Sequence, residues 1–462
     1  MTPSQLQGQS ITVVGAARSG LAVSRLLARA GAKVFLTDRD AAAEGVEAAL
    51  AAEGIAYEFG GHTERAHRAD LAVVSPGVPS TAPLVVALAQ SGIPVASEIE
   101  VASWFCRAPI VAITGTNGKT TTTSLTGYIF QQASTTDGRP RRVAVAGNIG
   151  YPFADSVDDL TEDDLVVLEV SSFQLDHIHT FRPKVGVLLN LTPDHLDRYG
   201  YDFAQYAAAK YRLFENMGPG DTLIYNADDE TLAGIVPGAA ASRGLRLVPI
   251  SLDADPGGAD AAFVRDRTVV LRLHATEDAI MPTAQLALPG RHNLYNSLAA
   301  AVAARVMEVR SDVVRESLAS FEGVPHRLEF VRELDDVRYI NDSKATNVNA
   351  VWYALESFDQ PIVLIAGGRD KGNDYASLRP LLREKGRAVI ALGESAAKVA
   401  EGLGSVVPAV EMATSMEEAI RLAQKHAQPG DVVLLSPACA SFDLFDNYEH
   451  RGDTFKRLVH AL

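Results

Sequence analysis

Thr114-Gly115-Thr116-Asn117-Gly118-Lys119-Thr120-Thr121 follows the apolar run from Pro109 to Ile113 and leads into a helix-forming stretch. That order spells a strand, a phosphate-cradling loop and a helix N-terminus. Glycines let backbone N–H groups close on phosphate oxygens, and a helix start adds partial positive charge. Lys119 can neutralise terminal phosphates, and Thr120 can ligate Mg²⁺. Gly115, Thr116, Asn117, Gly118, Lys119, Thr120 and Thr121 are therefore the expected ATP-binding residues. The general phosphate loop carries one more glycine, with four residues between it and the Gly-Lys pair. Ile113 stands at that place, so this loop is shorter than that of common nucleotide hydrolases.

Working outward, strand-length apolar runs alternate with Ala/Leu-rich helical stretches: Ile11 to Val14 before Leu21 to Ala30, then Val34 to Leu36, Leu71 to Val74 and Ile110 to Ile113. The alternation returns late, at Ile362 to Ile365, Ala388 to Leu392 and Val432 to Leu435. This is the signature of α/β folds with parallel sheets. Three blocks are expected, 1–97, 98–323 and 324–462, with the stretch from Gly234 to Ala262 irregular and peripheral.

The chain of 462 residues is long enough for several domains, and its 47% hydrophobic content is ample for their cores. Its 57 acidic against 42 basic side chains give a formal charge of −15. That balance disfavours a nucleic-acid surface or adhesion to anionic membranes, so anionic ligands must be met by local cations. Cys106 and Cys439 have no paired spacing, which argues against a disulfide framework or a zinc site and fits a reducing cytosol. The polar start MTPSQLQGQS has no signal-peptide pattern, and no apolar run reaches membrane length. A soluble cytoplasmic protein is expected, with no nucleic-acid or membrane partner.

Other polar groups stand at the ends of apolar runs, where open α/β sheets present their ligands. Gly15-Ala16-Ala17-Arg18-Ser19-Gly20 follows the first strand and Asp38 ends the next, an incomplete dinucleotide fingerprint because Ala17 replaces a glycine. The loop reads either as a diphosphate site or as a tight turn without a ligand. Glu169 closes the run Leu165 to Leu168 and can hold Mg²⁺. Asn190, Asp194 and His195 follow Val185 to Leu189, and Lys210 ends an Ala-rich stretch. On residue type alone, His195 and Lys210 do not differ from a loop histidine and a solvated helix lysine. Asn293 and Asn296 open an Ala-rich helix and can cap it or read an adenine edge. Arg327, in Pro325-His326-Arg327-Leu328-Glu329, falls near a block boundary, from which it can reach a γ-phosphate only when domains close.

In chain order, TGTNGKTT, GNIG (from Gly147), EVSSFQL (from Glu169), DHLDRY (from Asp194), AAK (to Lys210), LPGRHN, PHRLE, NDSKATN (from Asn341) and SPACASFD (from Ser436) resemble the Mur ligase family. Folylpolyglutamate synthases share its ATP loop, but NDSKATN and SPACASFD argue against that branch. The resemblance implies three α/β domains: an N-terminal Rossmann-like UDP-binding domain, a central P-loop ATPase-type domain and a C-terminal Rossmann-like domain for the amino acid. It also implies ATP-dependent joining of D-glutamate to UDP-N-acetylmuramoyl-L-alanine through an acyl phosphate, by a monomer in peptidoglycan precursor synthesis. By motif, Thr120 and Glu169 would hold a first Mg²⁺, and His195 with a carbamylated Lys210 a second. Asn293, Asn296, Arg327 and Asp342 would join the ATP site. Lys119, Lys210, His195 and Arg327 would carry the catalysis. Asp38, Ser75 and Asn148 would hold the UDP-sugar substrate, and Lys344, Thr346, Lys371, Ser441 and Phe442 would surround D-glutamate.

Overall fold

The computed structural model describes residues 2–136, 142–370 and 372–462. The first strands are β1 (Ser10–Val14), β2 (Lys33–Thr37), β3 (Ala56–Glu58), β4 (Leu71–Val74) and β5 (Val95–Ser97). They form a parallel sheet in the order β3-β2-β1-β4-β5. The order reverses between β1 and β4, so the carboxyl ends of these two strands frame a crevice of the kind that takes ligands in open α/β sheets.

A second sheet contains β6 (Ile110–Thr114), β7 (Val143–Gly147), β8 (Leu165–Glu169), β9 (Val185–Leu188), β10 (Thr222–Asn226), β11 (Arg246–Ser251), β12 (Ala261–Arg265), β13 (Thr268–Leu273) and β14 (Thr276–Pro282). Its order is β14-β13-β12-β11-β10-β9-β6-β8-β7, with β12, β13 and β14 pairing antiparallel and the rest parallel. β6 lies between β8 and β9, so the phosphate loop leaves the sheet at its own switch point. The third sheet has β15 (Glu329–Leu334), β16 (Val337–Asn341), β17 (Ile362–Gly367), β18 (Gly386–Leu392), β19 (Ala409–Ala413) and β20 (Val432–Leu435), in the order β15-β16-β20-β17-β18-β19. Only β15 runs antiparallel to its neighbour.

The stretch expected to be irregular, from Gly234 to Ala262, is largely ordered: it holds most of the helix Glu230–Arg243 and all of β11. Asp229 caps that helix by accepting from the N–H groups of Thr231 and Leu232, and Pro237 is tolerated inside it. The Gly, Pro and Asp residues that suggested a loop are concentrated in the short connection before β12.

The chain packs as two compact units, one of residues 1–286 with 295–320 and the other of 287–294 with 321–462. In the first unit one apolar core runs from Leu6, Ile11 and Val13 through Ile99 and Ala102 to Phe153, Leu168 and Leu223. The helix Glu98–Ser103 ties its two sheets together. Glu100, fully buried, accepts from the backbone N–H groups of His179 (2.9 Å) and Phe181 (2.8 Å) and from the Trp104 indole (2.9 Å). Those donors hold its carboxyl below the ordinary range despite burial. Glu98, also buried, accepts from the Ala154 N–H (2.7 Å) through Oε1, while its Oε2 has no hydrogen-bond partner. Burial pushes its pKa up to about 7. Among the described residues no helix is long and apolar enough to cross a membrane.

Candidate functional site

The phosphate loop connects β6 to the helix Lys119–Thr136. Gly115 has φ +157° and Gly118 φ +83°; a Cβ on Gly118 would lie 2.3 Å from the Asn296 Oδ1. Glycine there is required by both conformation and contact. Asn190, just beyond β9, braces the loop: its Oδ1 accepts from the Asn117 N–H (2.8 Å) and its Nδ2 donates to the Asn117 carbonyl (3.1 Å). Thr116 Oγ1 donates to the Thr192 carbonyl (3.0 Å) and meets the Tyr206 hydroxyl (3.0 Å). Asn296 Oδ1 accepts from Thr122 Oγ1 at 3.2 Å, which puts this asparagine against the first turn of the helix that the loop opens. Asn190 and Tyr206 had no assigned role in the sequence. Their only signal was position, one after a strand and one on the helix Phe203–Tyr211 that carries Lys210.

Two lysines converge on this loop. Lys119 Nζ donates to the carbonyls of Gly115 (3.0 Å) and Thr116 (2.8 Å). Lys210, buried at 2% exposure, donates to the same Gly115 carbonyl (2.8 Å) and to Thr114 Oγ1 (3.4 Å), with Nζ 5.0 Å from the Tyr206 ring centre. Burial, and then the charge of Lys119, hold its pKa well below the usual lysine value. No carboxylate of the described residues lies within ion-pair distance of Lys210, so it is far from the solvated helix lysine that its sequence context suggests. His195 stands in the left-handed region (φ 51°), its ring edge-on to Phe173 at 5.2 Å and its Nε2 3.8 Å from Asp194.

Glu169, at the end of β8, is buried at 2% exposure. Its Oε1 accepts from Asn148 Nδ2 (2.9 Å), while Oε2 is buried without a partner. Asn117 Nδ2 and Thr121 Oγ1 are likewise buried and unpartnered. Buried polar atoms of this kind call for a ligand or ion. Asn148, expected at the sugar nucleotide, thus touches the expected metal ligand directly. At the first sheet's crevice Asp38 Oδ2 accepts from the Ala16 N–H (2.6 Å) and Ser75 Oγ donates to the Gly15 carbonyl (3.1 Å). Both residues shape the Gly15 loop.

Arg327, Asp342 and Asn293 belong to the second unit, apart from Lys119 and Asn296 in the first. Asn293 Nδ2 donates to the Pro289 carbonyl (2.7 Å) at the start of the helix Arg291–Val306. Arg327 has a buried, unpartnered Nε. Its charge, after burial, helps lower the His292 pKa to about 4. Asp342 accepts from Ser436 Oγ (2.7 Å) and the Leu328 N–H (3.3 Å), and burial raises its pKa to about 7. Lys344 Nζ lies 5.1 Å from the Tyr448 ring centre, the Thr346 N–H donates to the Lys344 carbonyl (2.9 Å), Ser441 is buried and Phe442 is 61% exposed. These residues all follow carboxyl ends of β16 or β20. Lys371 lies outside the described residues.

Three family descriptions match in order: Mur ligase MurD-like N-terminal domain over residues 9–97, Mur ligase middle domain over 113–304, and Mur ligase glutamate ligase domain over 326–439. A UDP-N-acetylmuramoylalanine–D-glutamate ligase of Salinibacter ruber is 61% identical over 462 residues, covering all of both chains. The chain belongs to the Mur ligase family. A second ligase of the same description, from Chloroherpeton thalassium, is 48% identical and also aligns end to end. Among solved structures, the MurC ligase of Thermotoga maritima has a TM-score of 0.60 at 19% identity, covering 98% of this chain and 99% of its own. The pseudomurein peptide ligase type C of Methanothermus fervidus also has a TM-score of 0.60, at 20% identity over 98% of this Mur ligase and 100% of its own chain. These two show the fold. The Mur ligase fold thus accounts for three α/β sheets in one chain, each with its polar loops at the carboxyl ends of parallel strands.

Proposed function

We propose that this Mur ligase joins D-glutamate to UDP-N-acetylmuramoyl-L-alanine, with ATP converted to ADP and phosphate. The observation that carries the reading is the end-to-end likeness to relatives of that description, in a chain whose phosphate loop with its buried lysine and whose unpartnered glutamate oxygen stand at the carboxyl ends of the adjacent strands β6 and β8. The division of labour follows the strands: 1–97 for the sugar nucleotide, 98–323 for ATP and 324–462 for the amino acid. The chain is proposed to act as a monomer, and the chemistry suits the cytoplasm, where the nucleotide substrates are.

A carboxylate resists attack by an amine because its leaving group would be oxide. Transfer of the γ-phosphoryl group to an alanyl carboxylate oxygen releases ADP and leaves an acyl phosphate. The D-glutamate amine then attacks the acyl carbon, loses a proton, and phosphate departs as the amide forms. Asp38 and Ser75 orient the sugar nucleotide, and Asn148 extends its site toward the reacting end. Loop N–H groups from Gly115 to Thr121 and the Lys119 ammonium bind the phosphates, with Asn293, Asn296 and Asp342 on the rest of the nucleotide. Lys119 and Arg327 counter the charge that develops on the phosphoryl oxygens. Lys344, Thr346, Lys371 and Ser441 offer cations and hydroxyls to the two carboxylates of D-glutamate, and Phe442 limits the space around its side chain.

Thr120 and Glu169 suit Mg²⁺: Glu169 Oε2 is a buried oxygen with nothing else to bind. Mg²⁺ supplies charge neutralisation for the phosphates when bound. His195 and Lys210 would hold a second ion, with Lys210 as its carbamate. The burial of Lys210 with no carboxylate of the described residues at ion-pair distance supports this. In its neutral form the amine adds to carbon dioxide and releases a proton, which turns an uncharged nitrogen into a carbamate with anionic oxygen ligands.

Product analysis tests the whole reading. ADP and orthophosphate formed only when both UDP-N-acetylmuramoyl-L-alanine and D-glutamate are present support it. AMP and pyrophosphate, or turnover without D-glutamate, refute it.

A further inference from the structure

The helix Tyr448–His460 carries one of the most deeply buried charged side chains of the chain, Arg451, at 1% exposure. Its guanidinium makes no ion pair among the described residues and spends its donors on two loops. Nε donates to Ser343 Oγ (2.9 Å), Nη2 to the Ser343 carbonyl (2.7 Å) and Nη1 to the Cys439 carbonyl (3.1 Å). Ser343 stands between Asp342 and Lys344, and Cys439 two residues before Ser441. Burying a guanidinium without a carboxylate is costly, and the cost is offset only by well-placed acceptors.

The surroundings are fitted to this side chain. A Cβ on Gly368, at the carboxyl end of β17, would lie 3.3 Å from Nη1 and 2.3 Å from the Ala440 carbonyl. A Cβ on Gly452 would lie 2.1 Å from His326 Nδ1, so only glycine lets the helix approach the turn that carries Arg327. Ser343 Oγ also donates to the Tyr448 carbonyl (2.8 Å), which ties the loop back to the start of the same helix.

We propose that Arg451 is a positioning residue that fixes the spacing between the loop of Asp342, Lys344 and Thr346 and the loop of Ser441 and Phe442, and so holds the amino-acid pocket in register. This rests on the assignment of those two loops to D-glutamate and ATP given above. The planar fork binds both loops from within, through the Ser343 hydroxyl and carbonyl on one and the Cys439 carbonyl on the other. A lysine ammonium keeps the charge but lacks a fork that reaches both loops.

The experiment compares steady-state kinetics of the full chain with R451K and S343A, each first confirmed to be folded by its thermal midpoint. The unmodified enzyme must show D-glutamate-dependent ADP formation; without it, the functional reading and this proposal both fall. Given that activity, R451K should raise KM for D-glutamate by about tenfold or more and leave KM for UDP-N-acetylmuramoyl-L-alanine within about twofold. A merely structural role would lower the active fraction, and hence kcat, with every KM unaltered. If R451K does not fold, S343A decides, with an expected rise of about threefold or more in KM for D-glutamate. An unchanged KM for D-glutamate in the folded variant overturns the role of Arg451 and leaves the functional reading standing.

Discussion

Lys119 and Lys210 share one acceptor: both Nζ atoms donate to the Gly115 carbonyl oxygen, at 3.0 and 2.8 Å. Two lysine nitrogens gathered on one carbonyl oxygen mark a place built for anionic oxygens. Lys119→Ala removes the cation on the phosphate side. Turnover at saturating ATP is expected to fall by about 10² or more, as for other preorganised charges in transfer sites. Steady-state ADP release measures it, and near-normal kcat would defeat the role.

Lys210→Ala is expected to be almost inactive and to regain part of its activity with a short carboxylic acid such as formate or acetate, which replaces the carbamate oxygens. Titrating formate into the variant and following ADP release provides the check. An active variant, or an inactive one that no small acid restores, argues against carbamylation.

Glu98 links stability to pH. Its carboxyl is raised by burial from 4.5 to about 7 in the folded chain, so the folded state binds the proton more tightly than the unfolded state. The stabilisation is complete below pH 4.5 and is lost as pH rises through 7. Glu98→Gln removes the titrating group. The stability of the variant relative to the parent should therefore rise by roughly 2–3 kcal/mol between pH 5 and pH 8. Urea unfolding at the two pH values reads the difference, and a pH-independent difference would contradict it.

Ser441→Ala should raise KM for D-glutamate well before it affects KM for ATP, because the hydroxyl is assigned to a carboxylate of the amino acid. Initial rates over both substrates separate the two effects. Equal rises in both KM values would move Ser441 out of the amino-acid pocket.

Much of this architecture was legible in the sequence because glycine, proline and apolar runs sat where parallel strands hand over to loops. β1, β4, β6, β8, β17 and β20 all coincide with runs read as strands. The antiparallel hairpins did not show. Their turns at Asp266-Arg267, His274-Ala275 and Asp335-Asp336 take positive φ at both residues without glycine or asparagine, so the usual turn signal is absent. In the site, motifs exposed Lys119, whose partners Gly115 and Thr116 are local, and Glu169, which closes a strand. Lys210 and Asn190 gain their meaning from partners about 70 to 100 residues away in the chain, Gly115 and Asn117, which no local pattern records. Arg451 was invisible for the same reason: an arginine on an amphipathic helix is ordinarily solvated.

The buried carboxylate of Glu100 sits just past the stretch that resembles a domain of its own, yet it accepts from the backbone N–H groups of His179 and Phe181, beyond β8. The two sheets of the first unit also share one apolar core. Both belong to one compact unit, so denaturant should dissolve them in one transition. A sugar nucleotide bound at the crevice beside Ser75 would then raise the unfolding midpoint reported by probes placed near the ATP loop, without touching that loop.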